Sequence, residues 1–144
     1  MDVQDLFPNL TRDNHRKTSE CTRRYNCVAW ALGFDNQWWE PISAPGYYWP
    51  GSRHVWTVDG YANVFTEHLG FHECGDGALE HGFDKIAIYG EGNDFLHVAR
   101  QLPEGNWTSK LGRDIDIEHE SVEALAGPEY GTVKKYMKRL RDHP

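Results

Sequence analysis

Phe95-Leu96-His97-Val98-Ala99-Arg100-Gln101-Leu102, then Pro103-Glu104-Gly105-Asn106, then Trp107-Thr108-Ser109-Lys110-Leu111-Gly112 is the stretch on which the fold turns. Two runs of alternating side chains flank a Pro/Gly/Asn cluster, the pattern of a β-hairpin. If Pro103 to Asn106 close the turn, Leu102 stands opposite Trp107 and Val98 opposite Leu111, so the apolar faces match. That register puts His97 opposite Gly112, on the face of Ala99 and Gln101. It also brings Asp114 diagonal to His97, with Asp116 one step further along.

Upstream, Lys85–Tyr89 reads as a strand with Ile86 and Ile88 on one face, and Gly90-Glu91-Gly92-Asn93 as the turn that joins it to the hairpin. Val58, Tyr61, Val64, Phe65 and Leu69 have helical spacing, closed by Gly70. Tyr25-Asn26-Cys27-Val28-Ala29-Trp30-Ala31-Leu32-Gly33 reads as a short buried helix, with Asn26 as N-cap and Gly33 as stop. Between these helices, residues 37–53 are rich in Pro, Gly and aromatics, the composition of a long ordered loop. Residues 1–24 read as irregular. From about Glu129 to Arg141, Val133, Tyr136, Met137 and Leu140 make an apolar helical stripe, with Lys134, Lys135, Lys138 and Arg139 on the wet side. The order of elements gives an α+β fold in one domain spanning 1–144: a Cys-bearing N-terminal helix packed on a small antiparallel sheet, and a C-terminal helix.

The 144 residues carry 15 basic and 22 acidic side chains, a formal charge of −7. This balance excludes a general electrostatic grip on nucleic acid and disfavours an anionic membrane surface. No apolar run approaches the length of a membrane span, and the N-terminus lacks a signal-peptide pattern. The expected location is therefore cytoplasmic, with delivery by a dedicated secretion system left open. Three cysteines, Cys21, Cys27 and Cys74, do not make a disulfide framework. Cys74 with His72 and His54 lacks the spacing of a zinc site, and Gly90–Asn93 lacks the Lys of a phosphate loop. No metal or cofactor is expected.

Cys27 lies in the first turn of a helix, where the dipole and free amides favour a thiolate. Free cysteine is also among the most buried residue types, which makes plain packing its usual role. His97 lies within a strand, where it needs a partner or a task. Taken together, Cys27 as nucleophile, His97 as base and Asp114 as the orienting acid, with Asp116 as second choice, form a triad in chain order. The backbone N–H of Cys27 and the Asn26 side chain would be the oxyanion donors. His119, where the chain turns away from the sheet, is the other histidine to weigh, with a backbone bond as its ordinary role. Trp38, Trp39, Tyr47, Tyr48 and Trp49 either line a groove or order their loop by packing.

A helix-start Cys, a strand His and a polar residue on the next strand resemble the papain-like superfamily, including its NlpC-type and CHAP amidases. More closely, Tyr25–Ala31, His97–Gln101, Trp107–Gly112, Asp116–His119 and Tyr130-Gly131 resemble a family of uncharacterised bacterial proteins over roughly residues 20–140. The papain-like resemblance implies a cysteine hydrolase that attacks an amide or related acyl group of a peptide or protein substrate, as peptidase, amidase or deamidase. An amine acceptor would make it transglutaminase-like. The rival reading is a non-catalytic protein-binding module, such as an immunity or adaptor protein, whose acidic surface suits a basic partner. Burial of Cys27 and its separation from His97 discriminate between the two.

Overall fold

The computed structural model describes residues 3–19, 24–34, 38–41, 45, 47–50, 56–111 and 115–141. In chain order these form α1 (Val3–Leu6), β1 (His15–Ser19), α2 (Cys27–Ala31), α3 (Val58–Leu69), β2 (His72–Cys74), β3 (Phe83–Glu91), β4 (Asp94–Gln101), β5 (Trp107–Lys110), β6 (Asp116–His119), a 3-10 turn (Val122–Leu125) and β7 (Thr132–Leu140). The strands make one seven-stranded sheet in the order β1-β6-β5-β4-β3-β7-β2, with every neighbouring pair antiparallel.

The hairpin centre of the sequence reading is present, and so is α3. Thr57 caps α3 through its side-chain oxygen, which accepts from the Gly60 N–H at 3.0 Å, and Gly70 ends it in the left-handed conformation. The α+β papain-like architecture is not. The sheet is large rather than small, the Cys-bearing helix has only five residues, and α3 is the one helix of several turns among the described residues.

The C-terminal helix is instead the strand β7. Its register explains the misleading spacing. Ile88 pairs with Lys135 but Tyr89 with Val133, so Lys134 is an extra residue, a β-bulge. A bulge reverses the alternation. Val133 and Tyr136 pack with the cluster on one face, and Met137 with the cluster on the other. Interrupted period two thus imitates a helical stripe. The supposedly irregular N-terminal segment also holds a strand: β1 pairs with β6, and its sequence, His-Arg-Lys-Thr-Ser, carries no apolar signal.

Each face of the sheet is covered. On one, α2 and α3 bring Val28, Ala29, Val58, Tyr61 and Phe65 onto Ile86, Ile88, Val98 and Met137. On the other, Phe7, Leu10, Val122 and Leu125 cover Ala87, Tyr89, Ala99, Trp107 and Ile117. The central strands are therefore buried on both sides, and every polar group on them requires a partner inside the protein.

Candidate functional site

Cys27 opens α2 on the helix-covered face. Asn26 holds this helix start in place. Its Oδ1 accepts from the Ala29 N–H and from the Trp39 N–H, each at 3.1 Å, while its Nδ2 donates to the Trp39 carbonyl at 2.7 Å. The amide thereby pins the aromatic loop onto the helix, spending one of its two N–H donors on the Trp39 carbonyl. Cys27 itself is half-buried and packs against the Val98 side of the sheet. Burial pushes its thiol up to about 11; backbone hydrogen bonding at Val98 opposes this and the Glu40 charge adds to it. The thiol is protonated at neutral pH, contrary to what a helix dipole alone suggests. Among the described residues its charged or titratable neighbours are Glu40 and Tyr61, neither an imidazole.

His97 is on the opposite face. It pairs with Tyr89 across β3 and lies fully buried, 0% exposed, with its ring stacked on Tyr130 at 4.0 Å between centroids. Val98, its neighbour in the strand, is the residue that faces Cys27, and alternation sends His97 the other way. The sheet therefore stands between the expected nucleophile and the expected base.

What His97 meets is Ser109. Its Nε2 lies 3.0 Å from Ser109 Oγ, which lies 2.8 Å from His119 Nε2, and His119 Nδ1 lies 2.8 Å from the Ser121 carbonyl. Since a carbonyl only accepts, His119 Nδ1 carries the proton and its Nε2 is the acceptor. Ser109 must then donate to His119 and accept from His97 Nε2–H. One set of protons satisfies the chain, and His97 Nδ1 is left without a hydrogen-bond partner among the described residues. Burial, reinforced by neighbouring His119, holds His97 well below the ordinary histidine range. Burial likewise lowers His119 to about 4, against the bond to Ser121. His119 thus takes the backbone bond expected of it. Ser109 has the donor and acceptor pattern of an activated hydroxyl, but it is 0% exposed and no substrate reaches it.

The hairpin register accounts for the difference. Gln101, not Leu102, is opposite Trp107, and Arg100 is opposite Thr108. The loop has three residues: Leu102 N–H donates to the Asn106 carbonyl at 2.7 Å, Gly105 N–H to the Leu102 carbonyl at 2.9 Å, and Gly105 takes a φ of +106°. This is the three-residue hairpin form that needs a glycine at its end. The one-residue slip places Ser109 and Leu111 on the His97 face and removes the reason for choosing Asp114. Asp114 and Gly112 lie outside the described residues.

Asp116 is described and is not beside His97. It is buried on the helix-covered face, paired across the ladder with Lys110. Its Oδ2 accepts from Ser19 at 2.5 Å and from the Tyr25 hydroxyl, so it ties β1 and the approach to α2 onto β6.

Among the aromatics, Trp39 is buried between Phe34 and Tyr48, and Trp49 packs edge-on against Tyr61. Tyr47, Tyr48 and Trp56 are 38%, 41% and 46% exposed. The loop is therefore both packing and surface: the buried Trp39 indole carries the exposed Tyr48 ring. Cys74 is a free thiol, bonded at 3.6 Å to the Asp76 carbonyl. His54 and Cys21 lie outside the described residues. Among the described residues no group of three or more His, Cys, Asp or Glu is placed to hold a metal, and no helix is long and apolar enough to cross a membrane.

A family model described as a domain of unknown function, DUF7689, matches residues 16–138, and the chain belongs to that family. This agrees with the resemblance to an uncharacterised family; the papain-like resemblance gains no support from it. Neither a curated protein nor a solved structure matches the chain.

Proposed function

We propose that this member of the DUF7689 family is a protein-binding module and not an acyl-transfer enzyme. One observation carries the reading: the sheet lies between Cys27 and His97. Thiolate chemistry needs a base within hydrogen-bond reach of the sulfur, and the described neighbours of Cys27 offer a carboxylate, Glu40, that raises its pKa, and the Tyr61 phenol. The Ser109–His119 nucleophile–imidazole pair among the described residues is sealed inside the core. What the fold turns to solvent includes the rings of Tyr47, Tyr48 and Trp56, and the chain carries a formal net charge of −7, which suits a basic protein partner.

Thiol labelling tests this without knowledge of the partner. Folded protein is treated with iodoacetamide at pH 7, and each cysteine peptide is followed by mass spectrometry. Cys27 is expected to react more slowly than a free cysteine. If it reacts about tenfold faster than free cysteine or more, a lowered pKa is in force and the acyl-transfer reading replaces this one.

A further inference from the structure

A concavity lies on the sheet face away from Cys27, beside the β4–β5 loop. It is a groove of about 370 Å³, with Leu79, Trp107, Tyr136 and Val122 as its apolar lining and the exposed Glu120 and Glu123 beside them. Its size falls within the range of ordinary ligand pockets. Gly77 keeps its floor flat. A Cβ there would stand 2.8 Å from the Tyr136 ring and 3.1 Å from the Trp107 ring, so any larger residue would push the two aromatics apart.

Gln101 is the telling residue. It is 7% exposed, and its Nε2 donates to the Gly77 carbonyl at 2.8 Å. A carbonyl cannot donate, so the amide orientation is fixed with NH₂ toward Gly77. Oε1 is left as an acceptor in the groove lining with no partner among the described residues. Neither Glu120 nor Glu123 has an ion-pair partner among the described residues. No basic side chain lines the groove. The Glu123 charge is felt inside it, where it helps to raise the Tyr136 hydroxyl. The charged groups of the groove are thus acidic only: two carboxylates beside the Gln101 amide oxygen, with the Tyr136 ring, the largely buried Trp107 and the Ser121 hydroxyl between them.

A planar, delocalised cation with donors along its edge satisfies the carboxylates, the amide oxygen and the ring at once. We infer that this groove receives the arginine side chain of a basic protein partner. A guanidinium stacks on aromatic rings, is more weakly hydrated than an ammonium, and bridges carboxylates with paired N–H donors. A methylammonium-type point charge would leave either the ring faces or the amide oxygen unused. The inference rests on the binding-module reading and gives that module a partner chemistry.

The test measures binding of a fluorescent arginine-rich peptide by anisotropy at about 0.15 M salt, where diffuse attraction is largely screened. The comparison peptide has citrulline in place of arginine, which keeps the shape and removes the charge. Two double variants of equal net charge are compared: Glu120→Gln with Glu123→Gln in the groove, and Glu67→Gln with Glu91→Gln elsewhere on the surface. The arginine peptide is expected to bind and the citrulline peptide not. The groove variant should weaken binding about tenfold and the control less than about twofold. Absence of binding, equal binding of the citrulline peptide, or equal loss in both variants overturns the groove assignment. Slow Cys27 labelling in the same preparation would then leave the module reading standing, and fast labelling would remove both.

Discussion

Acidification should unfold this protein earlier than its carboxylates alone would cause. The perturbation is a drop from pH 7 to pH 5, and the responsive groups are His97 and His119 in the chain through Ser109. In the folded state burial holds His119 at about 4, opposed by its bond to Ser121; nearby His15 lowers it further and Glu118 raises it. In the unfolded chain it returns to its ordinary value near 6.5. A histidine with a depressed folded pKa binds fewer protons folded than unfolded. Its contribution is therefore complete above about pH 6.5 and is lost as pH falls toward about 4. The whole interval corresponds to about 3 kcal/mol, of which roughly 2 kcal/mol is lost by pH 5. His97 shifts in the same direction and adds to the loss. Protonating His119 also takes away the acceptor of the Ser109 hydroxyl, so the two imidazoles titrate as a unit. The carboxylates with lowered folded pKa, Asp76, Glu80 and Glu118, act below this window. Urea midpoints at pH 7, 6 and 5 provide the assay. A fall of about 1 M between pH 7 and pH 5 is expected for a domain of this size. His119→Gln should be less stable at pH 7 but should lose up to one proton from the slope, about 1.4 kcal/mol per pH unit at most. Stability at pH 5 within about 0.5 kcal/mol of that at pH 7, or an unchanged slope in His119→Gln, would refute the neutral, buried imidazole chain.

Three further outcomes follow from single side chains. Asn26→Ala removes the N-cap of α2 and both bonds to Trp39, and should lower stability by about 2–3 kcal/mol in urea unfolding while increasing protease cleavage in the aromatic loop. Ser109→Ala leaves His97 and His119 facing each other without a bridge, and should lower stability by about 1–3 kcal/mol at pH 7, read from the same midpoints. Gly77→Ala drives a methyl into the Tyr136 and Trp107 rings; it should lower stability by about 1–3 kcal/mol and abolish binding of the arginine peptide together.

The fold was legible where period and punctuation agree. Thr57 and Gly70 bracket five apolar residues at helical spacing, and α3 runs between them. Gly92-Asn93 turns β3 into β4, with Ile86 and Ile88 on one face, as the alternation indicates. It was illegible where the surroundings supply what the sequence lacks. β1 is a polar edge strand whose alternation carries no hydrophobic signal, and β2 is three residues long at the other edge. Pairing with a neighbour defines such strands, not their own side chains. β7 was misread for the opposite reason: its bulge at Lys134 creates a spacing that a helix also produces, and basic residues flank it as they would a helix C-terminus.

The candidate site turned on a single residue of register. With Leu102 opposite Trp107, apolar Val98 meets apolar Leu111, and the match looks decisive. In the folded protein Val98 and Leu111 serve opposite cores, and both are satisfied, because this sheet is covered on its two faces. Matching apolar residues across strands fixes a register only when one face is wet. Here the hairpin loop fixed it through Gly105, and the polar residues followed: Ser109 moved under His97, and Lys110 and Asp116 moved to the face of Tyr25. Chain order Cys, His, Asp remained intact throughout. It carries no information about which side of a sheet each residue takes, and a strand histidine one position away would have faced the thiol. Val98 occupies that position, so the same ladder that makes His97 a core residue leaves Cys27 without an imidazole base among the described residues.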